Sequence, residues 1–191
     1  MSSHALFTLP FDEILRRTAE RSPYPGGGAA SAMACSSAAA LVAMAARFTG
    51  DAAQEAVTAA EAAIDELRQL ADADADAFAE LLAAWRLPSD HADRRDRVAT
   101  AARRACDVPL RICQLGADIA RHGVWLATEG KRDLRGDAFT GAQLAHAAVQ
   151  AAARLVEINA RQADDQGPAD EVRALVKRTR HLVDETGSDN A

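Results

Sequence analysis

The sequence predicts an all-α fold, a helical bundle of long helices that forms dimers. Three observations carry this expectation. Every long segment repeats its apolar residues at helical spacing and none alternates like a strand. Alanine fills the chain from end to end, and Gly or Pro punctuates only a few places, leaving helices much longer than the globular average between them. The 191 residues suffice for one good core and leave little room for two. One domain over residues 1–186 is expected, with a loose tail at 187–191.

Thr8 is read as the cap of a first helix whose face is Phe11, Ile14, Leu15 and Thr18. The turn Pro23-Tyr24-Pro25-Gly26-Gly27-Gly28 ends it and feeds a second helix, Ala29 to Phe48, which stays uncharged as far as Ala46. After Thr49-Gly50-Asp51 a third runs unbroken to Leu87, where Pro88 stops it. A fourth opens near Ser89 or Asp90 and should break or kink at Val108-Pro109 before resuming to Thr128, with Gly130 closing it. Asp137 is placed as the cap of a fifth helix through Ala163. Gly167-Pro168 introduces the last, with Val172, Leu175, Val176, Thr179, Leu182 and Val183 on one face.

Composition narrows the function classes. Against 28 acidic residues stand 22 basic ones, a formal charge of −6; a nucleic-acid partner would need clustered Lys and Arg, so none is expected. Cys35, Cys106 and Cys113 are odd in number and lack C-x-x-C spacing, which points to reduced thiols and a cytoplasmic protein. Met1-Ser2-Ser3-His4 shows no basic-then-apolar leader. Helix two has the length to span a membrane, but Ala and Ser gain little in lipid, so it is read as a core helix and no membrane partner is expected. His91, His122, His146 and His181 show no metal-ligand spacing, and no metal site is expected.

Two places ask for chemistry. The glycine run lets backbone approach closely, and the free N–H groups of the following helix suit an anion or a polar ligand edge; a packing turn is the alternative. In helix three the seam Ile64, Leu67, Ala71, Asp74, Phe78, Leu81 and Trp85 carries one carboxylate on an otherwise apolar stripe. Burying it is costly without a cation, donors or a ligand. A structural hydrogen-bonded role for Asp74 is the alternative, while Asp72 and Asp76 fall off the seam and are expected in solvent. Asn159 sits among Leu155, Val156 and Ile158, where an amide needs partners. Along an unbroken helix it stands roughly 33 Å from Asp137, too far to share a pocket within one chain, although a two-fold partner could bring them together. The arginines at 94, 95, 97, 103 and 104 read as a solvated face or as a landing strip for an acidic ligand tail.

Pro25-Gly26-Gly27-Gly28-Ala29-Ala30-Ser31-Ala32, Ala40-Leu41-Val42-Ala43-Met44, Asp74-Ala75-Asp76-Ala77-Phe78, Trp85-Arg86-Leu87-Pro88, Val108-Pro109-Leu110 and Val156-Glu157-Ile158-Asn159 occur in an order that resembles the formiminotransferase-cyclodeaminase/methenyltetrahydrofolate cyclohydrolase family over nearly the whole chain. The resemblance implies an all-helical homodimer that acts on a tetrahydrofolate derivative by metal-free acid–base catalysis at a carbon–nitrogen centre, without a tightly bound cofactor. It implies Asp74 as the catalytic residue, and Tyr24, Gly26, Gly27, Gly28, Ser31, Asp137 and Asn159 as substrate-binding residues. With no transferase domain on the chain, a cyclohydrolase is expected over a cyclodeaminase. Three departures stand out. Lysines that often follow helix two are missing, Lys131 to Asp137 replaces an asparagine-rich loop and a Ser-Asp pair, and Glu157 takes a basic position. A divergent enzyme for another amidine, imine or cyclising small molecule is therefore a second reading, and a non-catalytic helical dimer a third.

Overall fold

The computed structural model describes residues 5–189, and among them there are six α-helices, three short 3-10 turns and no strand. The helices are α1 (Phe11–Thr18), α2 (Gly27–Thr49), α3 (Gln54–Trp85), α4 (Arg94–Glu129), α5 (Arg135–Ala163) and α6 (Gly167–Asp189). The leader reading on residues 1–4 lies outside the described residues.

Helix α2 is the spine. Although it passes for a membrane span by length and composition, 61% of its most apolar window is buried inside the protein. Ala29, Ala32, Cys35, Ala38, Ala39, Val42 and Ala46 are fully enclosed by α3, α4 and α5. Small side chains let helix axes come close, and the glycines of the neighbours extend the effect. A Cβ on Gly123 of α4 would stand 3.0 Å from the backbone of Ala138 and Ala142 on α5, so that crossing requires its absence.

Several boundaries differ from expectation for local reasons. Thr8 does not cap α1: its hydroxyl donates to Ala5 O at 2.7 Å, and Pro10 occupies the cap position. Only Ile14 of the first face is buried, while Phe11 and Leu15 stay open to solvent. Helix α4 runs through Pro109 without a break, because packing of its buried face on α5 holds both halves in line. Asp137 is not a cap either; Leu134 holds that position and Asp137 lies exposed in the first turn of α5. Helix α6 continues through Gly187 to Asp189, into the expected loose tail, with Thr186 buried and Gly187 set against Phe139. Residues 190 and 191 lie outside the described residues.

The heptad seam of α3 is turned into its own subunit. Leu67, Ala71 and Leu81 are buried and Ile64, Phe78 and Trp85 half-buried, with α2 and α4 as neighbours. Two arginines of the run reach helix ends: Arg94 donates to Leu87 O at 3.0 Å and to Trp85 O at 3.2 Å, capping α3. Arg103 reaches Ala163 O at the end of α5 at 3.4 Å.

Candidate active site

The turn before α2, the second half of α3, Pro109 of α4 and the last turns of α5 enclose a cavity of about 190 Å³. Its walls are Pro23, Gly26, Gly27, Gly28, Asp74, Phe78, Trp85, Pro109, Leu155, Ile158 and Asn159. Five of the candidates named from sequence, Asp74, Gly26, Gly27, Gly28 and Asn159, therefore meet in one place, drawn from three helices.

Asp74 forms the floor. Its carboxylate lies so close to Gly28 that a Cβ there would fall 2.0 Å from Oδ1 and 2.3 Å from Cγ. The backbone N–H of Ala29 donates to it. Gly26 caps α2 with no side-chain bond of its own, and Asp74 supplies from α3 what that cap lacks. Burial raises the Asp74 pKa above its ordinary 3.8, and the Ala29 N–H partly offsets the rise. A carboxylate held in this way can take up a proton nearer neutrality than a solvated one.

The glycines have separate duties. Gly28 makes room for Asp74, whereas a Cβ on Gly27 would meet only Leu155, at an ordinary 3.7 Å.

The upper wall is aromatic. Phe78 and Trp85 meet edge to face, 6.2 Å between centroids and 84° between planes. The Trp85 indole N–H donates to Gln162 Oε1 at 3.0 Å, which ties α3 to α5 and fixes the ring. Asn159, one turn earlier on α5, donates from Nδ2 to Ala105 O of α4 at 2.8 Å. Trp85, Pro109, Leu155 and Ile158 were not singled out as site residues from sequence, although Phe78 and Trp85 share the seam with Asp74, and Pro109 and Ile158 stand in the quoted motifs.

Three sequence candidates lie elsewhere. Tyr24 turns away from the cavity: its hydroxyl donates to Asp72 Oδ1 at 3.3 Å, beside the Leu6 N–H at 3.0 Å on the same oxygen. Burial and the Asp72 charge push the phenol's pKa far up. Asp72 is accordingly half-buried, a clamp for the N-terminal segment, and Asp76 alone of the pair off the seam is exposed. The Ser31 hydroxyl is buried and donates back to Gly27 O at 2.7 Å, which serves the first turn of α2. Asp137 stands at the far end of α5 from Asn159, outside the cavity. Glu157, the departure beside Ile158, also leaves the cavity untouched, because it faces Arg154 at 3.1 Å and Arg173 at 3.6 Å.

Among the described residues no cationic side chain lines the cavity. The cysteines offer no nucleophile, since burial pushes Cys35 and Cys113 up to about 12 and Cys106 to about 11. Among the described residues no three His, Cys, Asp or Glu side chains cluster as metal ligands do.

The chain as a whole is similar to known proteins. A methenyltetrahydrofolate cyclohydrolase of Methylorubrum extorquens is 27% identical over 94% of this chain and 91% of its own length. A formimidoyltransferase-cyclodeaminase of Gallus gallus is 28% identical over 91% of this chain, which spans 34% of that longer protein. The crystal structure of formiminotetrahydrofolate cyclodeaminase from Thermotoga maritima superposes with a TM-score of 0.81 at 26% identity, covering 95% of this chain and 93% of the other. The sequence model of formiminotransferase-cyclodeaminase matches residues 10–178, a span that takes in every wall of the cavity, and the chain belongs to that family.

Proposed function

We propose that the protein is a folate one-carbon enzyme of the cyclohydrolase/cyclodeaminase type, with Asp74 as its acid–base residue. The observation that carries the reading is electrostatic: among the described residues the cavity presents one partly buried carboxylate and no cationic side chain. Such a pocket favours a cationic carbon–nitrogen centre, which the methenyl bridge and a protonated formimino group both provide.

In hydrolysis of a methenyl bridge, Asp74 takes a proton from water as its oxygen bonds to the bridging carbon. The resulting tetrahedral centre has lost its positive charge. Asp74 then gives the proton to the departing ring nitrogen as its bond to the carbon breaks, and the hydroxyl proton passes to solvent, which leaves the carbon as a formyl group on the other nitrogen. In deamination the folate nitrogen that does not carry the formimino group is the nucleophile: it bonds to the formimino carbon, the bond from that carbon to the departing amine breaks, and Asp74 carries the attacking nitrogen's proton to the ammonia that leaves. The relatives named for each activity align with this chain almost equally well, so both reactions belong in the test. Purified protein should accelerate the spectroscopic decay of methenyltetrahydrofolate or the release of ammonia from formiminotetrahydrofolate. Failure in both, with a folded protein, removes the reading.

We infer a cytoplasmic enzyme that needs no tightly bound cofactor and works as a homodimer. The face for dimerisation is not the α3 seam, which is used within the subunit. Helices α2 and α5 lie side by side, with Gly27 next to Leu155 and Leu41 next to Gly141. Together they leave an outer stripe of Ser37, Ala40, Leu144, Ala151 and Ile158 open. That stripe ends at the cavity. A two-fold axis near the middle of α5 would bring the partner's end of that helix, where Asp137 lies, toward the cavity mouth.

A further inference from the structure

Pro109 and Asn159 answer one another across α4 and α5. A proline has no N–H, so the carbonyl four residues back in a helix loses its usual donor. Here that carbonyl is Ala105 O, on a residue only 6% exposed, and a buried carbonyl without a donor is destabilising. Asn159 Nδ2 fills the vacancy at 2.8 Å. The assignment of the amide follows from this bond, since only the NH₂ end can face a carbonyl. Asn159 Oδ1 is then the free end. Among the described residues it has no hydrogen-bond partner, and it is not enclosed, because Ser36 Oγ is the one buried side-chain polar atom there without a partner. Asn159 lines the cavity that holds Asp74, and so does Pro109.

We propose that Pro109 and Asn159 form a positioning pair: the proline frees a carbonyl, the asparagine commits one N–H to it, and Oδ1 is thereby fixed as an acceptor for an N–H of the ligand. The site then offers two acceptors, Asp74 and Asn159 Oδ1, while the indole N–H of Trp85 is already spent on Gln162. It selects ligands with a donor-rich amidine or guanidine edge, as the ring system of a reduced folate has. Asn159 is thus a specificity residue and Pro109 its positioning residue. This inference rests on the folate reading for its ligand and on the hydrogen bond alone for its mechanics.

The test is a double-mutant cycle of Pro109→Ala and Asn159→Ala, read by melting temperature and by KM for methenyltetrahydrofolate. Asn159→Ala should lower the melting temperature and raise KM tenfold or more. Adding Pro109→Ala restores a backbone N–H to Ala105 O, so the double variant should recover the melting temperature lost by Asn159→Ala. Its KM should stay at least tenfold above that of Pro109→Ala alone. Recovery of KM together with stability would show that Asn159 only caps a carbonyl and would overturn the specificity role. A melting temperature that does not recover would overturn the pairing with Pro109. Wild-type protein inert toward both folates would defeat the proposed function and the ligand half of this inference with it, whereas a defect confined to the inference leaves wild-type turnover intact.

Discussion

Asp74 is where local conflict and the proposed chemistry coincide. Its folded pKa is raised, mainly by burial, so the native state holds a proton more tightly than the unfolded chain. Stability then falls as pH rises from about the ordinary 3.8 through the folded pKa, and above that the cost of the buried charge is fully present. Asp74→Asn retains an acceptor for the Ala29 N–H but carries no charge. At pH 7 it should melt no lower than wild type, and any advantage should shrink on acidification; thermal melts between pH 4 and 8 read this directly. Turnover should drop 10²-fold or more, in line with loss of an acid–base group, and the wild-type rate should rise with pH along an acid limb displaced above ordinary aspartate. An active Asp74→Asn would end the catalytic assignment. The neighbouring glycines give a sharper contrast. Gly28→Ala drives a methyl into the Asp74 carboxylate, at 2.0 Å in the unrelaxed structure, and should cost about 1–3 kcal/mol of stability along with most of the activity. Gly27→Ala, facing Leu155 at 3.7 Å, should leave both nearly unchanged. Equal responses in urea melts and rate assays would refute the division of labour.

At the scale of elements, the cavity depends on how closely α4 and α5 approach. Pro109 and Asn159 stand on opposite sides of that contact, and the same pair of helices crosses again at Gly123, where a Cβ would meet backbone atoms at 3.0 Å. Backbone cannot rotate aside as a flexible side chain does. Gly123→Ala is therefore expected to part the helices and destabilise the fold by about 1–3 kcal/mol, despite alanine's better helix propensity. A chemical-denaturation midpoint at or above wild type would show that the crossing has slack. Helix α3 has a comparable dependence at its end. Arg94 holds the last carbonyls beside Trp85, so the aromatic wall of the cavity is anchored from α4 as well as from Gln162 on α5.

The whole molecule presents its open small-residue stripe on α2 and α5, next to the cavity mouth, while the longest apolar seam is used internally. The proposed dimer is therefore expected to respond to α5 and not to α3. Ala151→Glu, on the outer face of α5, should shift sedimentation from dimer to monomer at micromolar concentration with little change in helical content. Glu80→Lys on α3 should not. A wild-type protein that sediments as a monomer would remove the interface and any contribution of the partner's α5 end to the site.

The sequence by itself determined the class of fold and five of the residues that meet in the candidate site. Helical periodicity, alanine richness and sparse Gly and Pro breakers are local properties, and they sufficed to place six helices to within a few residues at most ends. The glycine turn, Asp74 on an apolar seam and Asn159 among apolar residues were likewise visible, because a breaker or a polar group in the wrong company is conspicuous along one strand of text. What only the tertiary structure decided was who faces whom. That Asp74 lies against Gly28 in the first turn of α2, that Tyr24 belongs to Asp72, that Ser31 bonds its own helix and that Asp137 lies outside the cavity all depend on the azimuth and register of one helix against another. So does the match between a carbonyl freed on α4 and an amide on α5. Register is set by the summed packing of small residues over α2, α4 and α5, a property of many weak contacts that no single residue carries.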